Sequence, residues 1–375
     1  MKLESTTLIK KWQNTEKRKV LNLIAFIKFI AMILIIKVHL MFIPRNKIDY
    51  GVRMCEILFV SSGFLIGYNY YQREMDCNYK ESFKYIHRRL KTFYPLLFIN
   101  TIYGYFITEK KNYDMKEFIL LLSSLFMIKS WSRFCTLATF YNGHSWFLCS
   151  LLFSYFLVPA LLQGLNNNKL SLSLFLIISI IRIIPEELIS HGAFNMFDAD
   201  FHRGPIIRLF EFYMGMLLIP SFFRSKLYLD KFKNKLWFKN LFTFIEFTIM
   251  ILIYIIMFKF NNILLRCYFV LIICAFIFIA GYDYGFLSDI FSNKIFAKIM
   301  SCQMEMYILQ RTINKSFYKF VNKKQFSSIF HPEIQFYIKL IIIFICGYLY
   351  VKLFKNKFSN IFDKIIFLSK YIIYK

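Results

Sequence analysis

Lys28 and His39 stand at the two ends of "KFIAMILIIKVH", a run that is otherwise apolar except for Lys37. Eleven residues separate them, which on a helix is three turns plus about 20°, so both face the same way, ~16 Å apart along the axis. A lysine inside a membrane-length run costs about 2.5–3.5 kcal/mol on insertion scales and normally faces a polar interior. A histidine can serve as a general base near neutral pH. Taken alone, Lys28 also suits a snorkelling lysine, and His39 an interfacial histidine. The shared face makes the pair the stronger candidate for chemistry. Lys37 points the opposite way from Lys28 and lies close enough to the end of the run to snorkel.

Three further stretches could contribute. "LFVSSGFLIGYNYY" places Ser61, Ser62 and Gly63 in a helix, where small polar residues either let backbones approach closely or line a substrate path. "YIHRRLKTFYPLLF" gathers Arg88, Arg89 and Lys91, which could grip the phosphates of a nucleotide-like donor or act as topology signals. His144 and Trp146 could bind sugar by hydrogen bonding and stacking, or belong to an interfacial aromatic belt. Glu305 is one more charge in an apolar run, suited to a polar contact in a cavity or to an ion pair with Arg311.

The elements that must position these residues are membrane helices. The chain has 375 residues, 58% hydrophobic and 20% aromatic, whereas a soluble domain is nearer half apolar. The apolar residues come in blocks of about twenty, the length that crosses ~30 Å of hydrocarbon. Ten blocks can span: 20–43, 54–71, 92–108, 145–165, 170–185, 205–222, 240–260, 264–282, 297–313 and 334–353. Block 118–128 is too short to cross and reads as re-entrant or interfacial. The expected fold is an all-α polytopic bundle of about ten spanning helices over residues 20–353. A basic N-terminal segment, 1–19, precedes it, and a basic amphipathic tail, 354–375, follows it. With both termini in the cytoplasm, the inside segments carry 25 Lys and Arg and the outside segments 13, over similar total lengths. That asymmetry is the positive-inside pattern.

The net charge of +26 does not indicate nucleic acid, because the cations flank apolar blocks instead of forming an aqueous basic face. The eight cysteines include no CxxC pair, so neither a disulfide framework nor metal-ligand spacing is expected. The first apolar block is too long for a cleaved signal and reads as the first membrane helix.

Six motifs in order resemble those of the integral-membrane acyltransferase family 3, which O-acylates surface carbohydrates. Lys28 to His39 is similar to its Arg/Lys, ten residues, His pattern, and "SSGFLIG" to its SGFL stretch. Arg88 and Arg89 ahead of Tyr94-Pro95 resemble its basic cluster. "GHSWFLCSLLFSYFLVPALL" is similar to its Trp-Phe-Leu helix, "RLFEFYMGMLL" to its Phe-x-x-Gly helix, and "MEMYILQRTI" to its Tyr-Ile/Leu-x-His segment. The resemblance runs from residue 18 to about 350. There are departures: Thr92 stands where a second cation is usual, Gln310 where a histidine is usual, and Glu305 where a small residue is common.

The resemblance implies an acyl-coenzyme A donor from the cytoplasm, as co-substrate and not a resident cofactor, and a hydroxyl of a surface or lipid-linked carbohydrate as acceptor. His39 is then the general base, or forms a transient acyl-histidine, with Lys28 beside it. Arg88, Arg89, Lys91, Ser62 and Gly63 would serve the donor. His144, Trp146, Glu305 and Gln310 would serve the acceptor. The implied location is the cell membrane, among its lipids. A multi-span transporter or flippase of lipid-linked glycans shares the aromatics and basic belt without a reaction. A glycan polymerase usually has a large outer loop with several arginines, whereas 109–144 holds only Arg133.

Overall fold

The computed structural model describes residues 21–41, 49–71, 75–107, 115–131, 145–190, 204–258, 263–321 and 330–373. The basic segment 1–19 lies outside them. No strand occurs among the described residues. The chain forms a polytopic transmembrane helical bundle. Its helices are α1 Asn22–Leu40, α2 Asp49–Tyr70, α3 Tyr79–Ile107, α4 Met115–Leu125, α5 Trp146–Gln163, α6 Asn168–Ser190, α7 Pro205–Leu217 and α8 Ile219–Leu229. They continue as α9 Leu236–Phe258, α10 Ile263–Ala280, α11 Phe286–Phe291, α12 Lys294–Met300, α13 Gln303–Phe320, α14 Pro332–Leu353 and α15 Lys355–Ile373.

Among the described residues, six segments are long and apolar enough to cross a membrane: α1, α2, α5, the continuous α7–α8 pair, α9 and α14. The other expected blocks fall on α3, α6, α10 and α12–α13. The block expected over 297–313 is broken, since α12 ends at Met300 and α13 starts at Gln303. Over 118–128 the chain forms the eleven-residue α4 and then turns at Met127, at φ 56°. Tyr94 of α3 ties that turn down, its hydroxyl donating to Leu125 O at 2.9 Å.

In lipid the usual amphipathic logic is inverted, and α6 shows it. Leu172, Leu176, Ile180 and Ile184 recur every fourth residue and all are exposed, whereas Ser171, Ser179 and Arg182 face inward. Ser171 donates to Leu217 O at 2.6 Å, fastening α6 to α7.

The closest crossing joins α2 and α7. A Cβ on Gly63 would lie 1.8 Å from Phe212 O, and one on Gly215 2.0 Å from Val60 O. Backbone meets backbone here, which only small residues permit. Gly63→Leu should therefore lower stability by about 1–3 kcal/mol, read as a drop in melting temperature of the detergent-solubilised protein. An unchanged midpoint would mean that the crossing adapts freely.

Beside that crossing lies a buried ion cluster. Arg182 of α6 meets Glu211 of α7 at 2.9 Å and Glu56 of α2 at 3.2 Å, with both side chains of each pair inaccessible to solvent. Arg53 meets Glu56 at 2.6 Å, and Arg208 meets Glu211 at 2.6 Å. Three helices are thus joined through charges removed from water.

Candidate active site

The start of α1 is anchored by Asp283, whose carboxylate accepts from the backbone N–H of Asn22 (3.1 Å) and Leu23 (3.3 Å). Two of the helix's orphan donors are satisfied in this way. From there α1 runs antiparallel to α2. Lys28 lies opposite Ser62 and donates to its Oγ at 3.1 Å. Val38 lies against Gly51, near the other end of the pair. His39, one residue on, meets α13, its Nδ1 lying 3.1 Å from Gln310 Oε1. Lys28 and His39 thus each find a polar partner on a neighbouring helix inside an apolar bundle.

α13 is set beside α3 by two contacts. Asn100 donates to Ile308 O at 2.8 Å, and the Tyr103 hydroxyl lies 3.2 Å from Ser316 Oγ. Both contacts advance along α3 and α13 together, so the two helices run the same way. Gln310 is fully buried, and its Nε2 has no hydrogen-bond partner. Glu305 is buried a turn and a half earlier and accepts from Lys355 of the tail helix at 2.7 Å. Lys355, and not Arg311, is its ion-pair partner. Its carboxylate faces α15, on the side of α13 where the helix begins.

The basic cluster sits at the Tyr70 end of α2. Arg89 donates to the Tyr85 hydroxyl from Nε (3.1 Å) and Nη2 (2.8 Å). Its guanidinium also lies 5.1 Å from the Tyr85 ring and 5.6 Å from that of Tyr155. Tyr85 meets Tyr70 edge-on at 5.5 Å. Burial pushes the Tyr85 pKa up, so its hydroxyl keeps its proton while it accepts from Arg89. Arg88 is exposed, 5.8 Å from the Tyr85 ring. Lys91 pairs with Asp363 of α15 at 3.1 Å. Thr92 caps the turn, its Oγ1 donating to Arg89 O at 2.7 Å. The amphipathic tail therefore docks on α3, with Phe362 5.6 Å from Tyr94.

From one end to the other, polar groups follow α1 and α2 in sequence: Arg89 with Tyr85, then Lys28 with Ser62, then His39 with Gln310. Gly63, beside Ser62, makes the tight contact with α7. His144 lies outside the described residues. Trp146 opens α5, 5.7 Å from Arg208. The next residue, Phe147, packs on Phe59 (4.8 Å) and Tyr307 (5.4 Å), linking α5 to α2 and α13.

The Arg53, Glu56, Arg182, Arg208 and Glu211 cluster was not among the expected functional residues, although the sequence carried its signal. Each is a charge within or beside an apolar block, the same criterion that singled out Lys28. Arg208 and Glu211 are also spaced i, i+3 on one helical face.

The chain matches the acyltransferase domain of acyltransferase family 3 over residues 22–357. It belongs to that family and is an integral membrane acyltransferase. Neither the curated proteins nor the solved structures contain a significant match to it.

Proposed function

We propose that the protein moves an acyl group, most simply acetyl, from acyl-coenzyme A to a hydroxyl of a surface or lipid-linked carbohydrate. The contact between His39 and Gln310, on the helix that also pairs Lys28 with Ser62, carries this reading. It supplies a base inside an apolar bundle and a line of polar groups leading to it.

With Gln310 Oε1 as acceptor, His39 holds its proton on Nδ1, and Nε2 is the basic nitrogen. Nε2 takes the proton of the acceptor hydroxyl as that oxygen attacks the thioester carbonyl. A C–O ester bond forms and the C–S bond breaks. The departing sulfur takes the proton from Nε2, so His39 ends neutral and coenzyme A leaves as the thiol. Lys28, held by Ser62, lines the route of the donor arm. Arg88, Arg89 and Lys91 receive the donor's phosphates, with Arg89 held in place by Tyr85 and Tyr155. Gly63 brings α2 and α7 together beside Ser62. Trp146 and His144 serve the acceptor side with Gln310. Glu305, paired with Lys355, contributes by fixing the start of α13.

In this reading both termini and the basic cluster face the cytoplasm, where coenzyme A resides, and the acceptor approaches from the opposite side of the cell membrane. The excess of Lys and Arg in the segments on the cytoplasmic side supports it. No cofactor is needed beyond the co-substrate.

Replacing Arg88 and Arg89 together by alanine should raise the KM for acetyl-coenzyme A at least tenfold, because each charge-assisted hydrogen bond contributes about 1.5–3 kcal/mol. The KM for the glycan should change little, because only the donor brings those phosphates. Transfer of labelled acetyl from acetyl-coenzyme A in membrane vesicles measures both. An unchanged donor KM in correctly inserted protein would reduce the cluster to a topology signal.

A further inference from the structure

α13 carries a second polar residue that the reaction as proposed does not use. Asn314 lies four residues after Gln310, one turn along the same helical face. Its Oδ1 is buried and accepts no hydrogen bond, and Gln310 Nε2 is buried and donates none. An unmade donor and an unmade acceptor therefore stand about 5–6 Å apart at their Cβ atoms, the first on the residue that holds His39. On the neighbouring α3, Thr101 is 1% exposed, and its hydroxyl has no hydrogen-bond partner. Asn100 meets Ile308, and the two helices run the same way, so Thr101 lies at about the depth of Gln310.

Buried polar groups are normally paired, and those left open in a native protein call for a ligand or an ordered water. Amide groups read sugars well, because one N–H can donate to a hydroxyl oxygen while a carbonyl accepts from the neighbouring hydroxyl or N–H. A reacting hydroxyl at His39 lies beside Gln310 by the contact already described.

We propose that Asn314 is a specificity-determining residue of the acceptor site. Its Oδ1 accepts a hydrogen bond from a donor group on the sugar next to the hydroxyl being acylated, while Gln310 Nε2 donates to the sugar. The acceptor class is then a carbohydrate carrying a hydroxyl or amide N–H vicinal to the acylated position. This rests on the acyl-transfer reading given above.

The test uses the full chain in detergent micelles, acetyl-coenzyme A, and surface glycan stripped of its esters by mild alkali from cells that carry the gene. Asn314→Leu and Asn314→Ala remove the accepting oxygen and should raise the KM for the stripped glycan about five- to tenfold, the loss expected for one hydrogen bond. The KM for acetyl-coenzyme A should stay unchanged, which a general packing defect would not produce. Asn314→Asp keeps an accepting oxygen and should hold the glycan KM within about twofold of the unaltered protein. An unchanged glycan KM in Asn314→Ala overturns the proposal and leaves acyl transfer standing. So does an Asn314→Asp defect as large as that of Asn314→Leu. Failure of the unaltered protein to acetylate the stripped glycan overturns the underlying reading, and this proposal with it.

Discussion

His39→Gln should reduce acyl transfer by about 10²–10⁴-fold, the usual contribution of a positioned general base. Glutamine keeps much of the size and hydrogen bonding of histidine, so the contact with Gln310 can survive, but it cannot take a proton at neutral pH. His39→Ala should be equally inactive while the protein still inserts, because Lys28, the other titratable group on that face of α1, lies ~16 Å away along the axis. Lys28 makes the complementary test. Lys28→Leu removes a charge that is costly in the membrane, so the variant should insert at least as well and transfer less. Lys28→Arg should keep part of the activity, because the charge stays opposite Ser62. Labelled-acetyl transfer, set against the amount of inserted protein, measures all four. A fully active His39→Gln protein would remove the general base, and a fully active Lys28→Leu protein would return Lys28 to a snorkelling role.

Glu211→Ala should have the largest effect on stability. The carboxylate lies between Arg182 (2.9 Å) and Arg208 (2.6 Å), and none of the three side chains reaches solvent. Removing one member of a buried ion pair destabilises by about 3–5 kcal/mol, because the remaining charge keeps its desolvation penalty. Glu211→Gln keeps the size of the side chain and one accepting oxygen, enough for a hydrogen bond from one of the two guanidinium groups, and should lose less. Thermal unfolding in detergent reports both. A Glu211→Ala melting temperature equal to that of the unaltered protein would show that the cluster does not hold α6 and α7 to the bundle.

Residue type and spacing revealed the α1 pair because both signals were local. Lys28 and His39 share a face through helical periodicity alone, and an intramembrane charge stands out against Ile, Leu and Phe. Their partners were harder to read. Ser62 was marked as small and polar and Gln310 as a departure from a family pattern, yet no local rule pairs residues 34 or 271 positions apart. Gly63 illustrates the same limit, since a glycine beside serines suits a substrate path and a tight crossing equally, until Phe212 O is found against it. Glu305 was an evident charge, but its partner Lys355 lies across a whole helix and the bend at Phe354. Asn314 gave no signal, because an asparagine near the end of an apolar run resembles a loop residue until its surroundings are known. Helix positions were well marked by the apolar blocks. The break between α12 and α13 was not, because Ser301 and Cys302 are compatible with a continuous helix.

Mass spectrometry of the surface glycans from cells with and without the gene tests the central claim most directly. The account predicts glycan repeat units heavier by one acyl group where the gene is present, with the extra mass lost on mild alkali treatment and absent when His39→Gln replaces the unaltered protein. Identical glycan masses with and without the gene, in cells shown to contain the inserted protein, would contradict it.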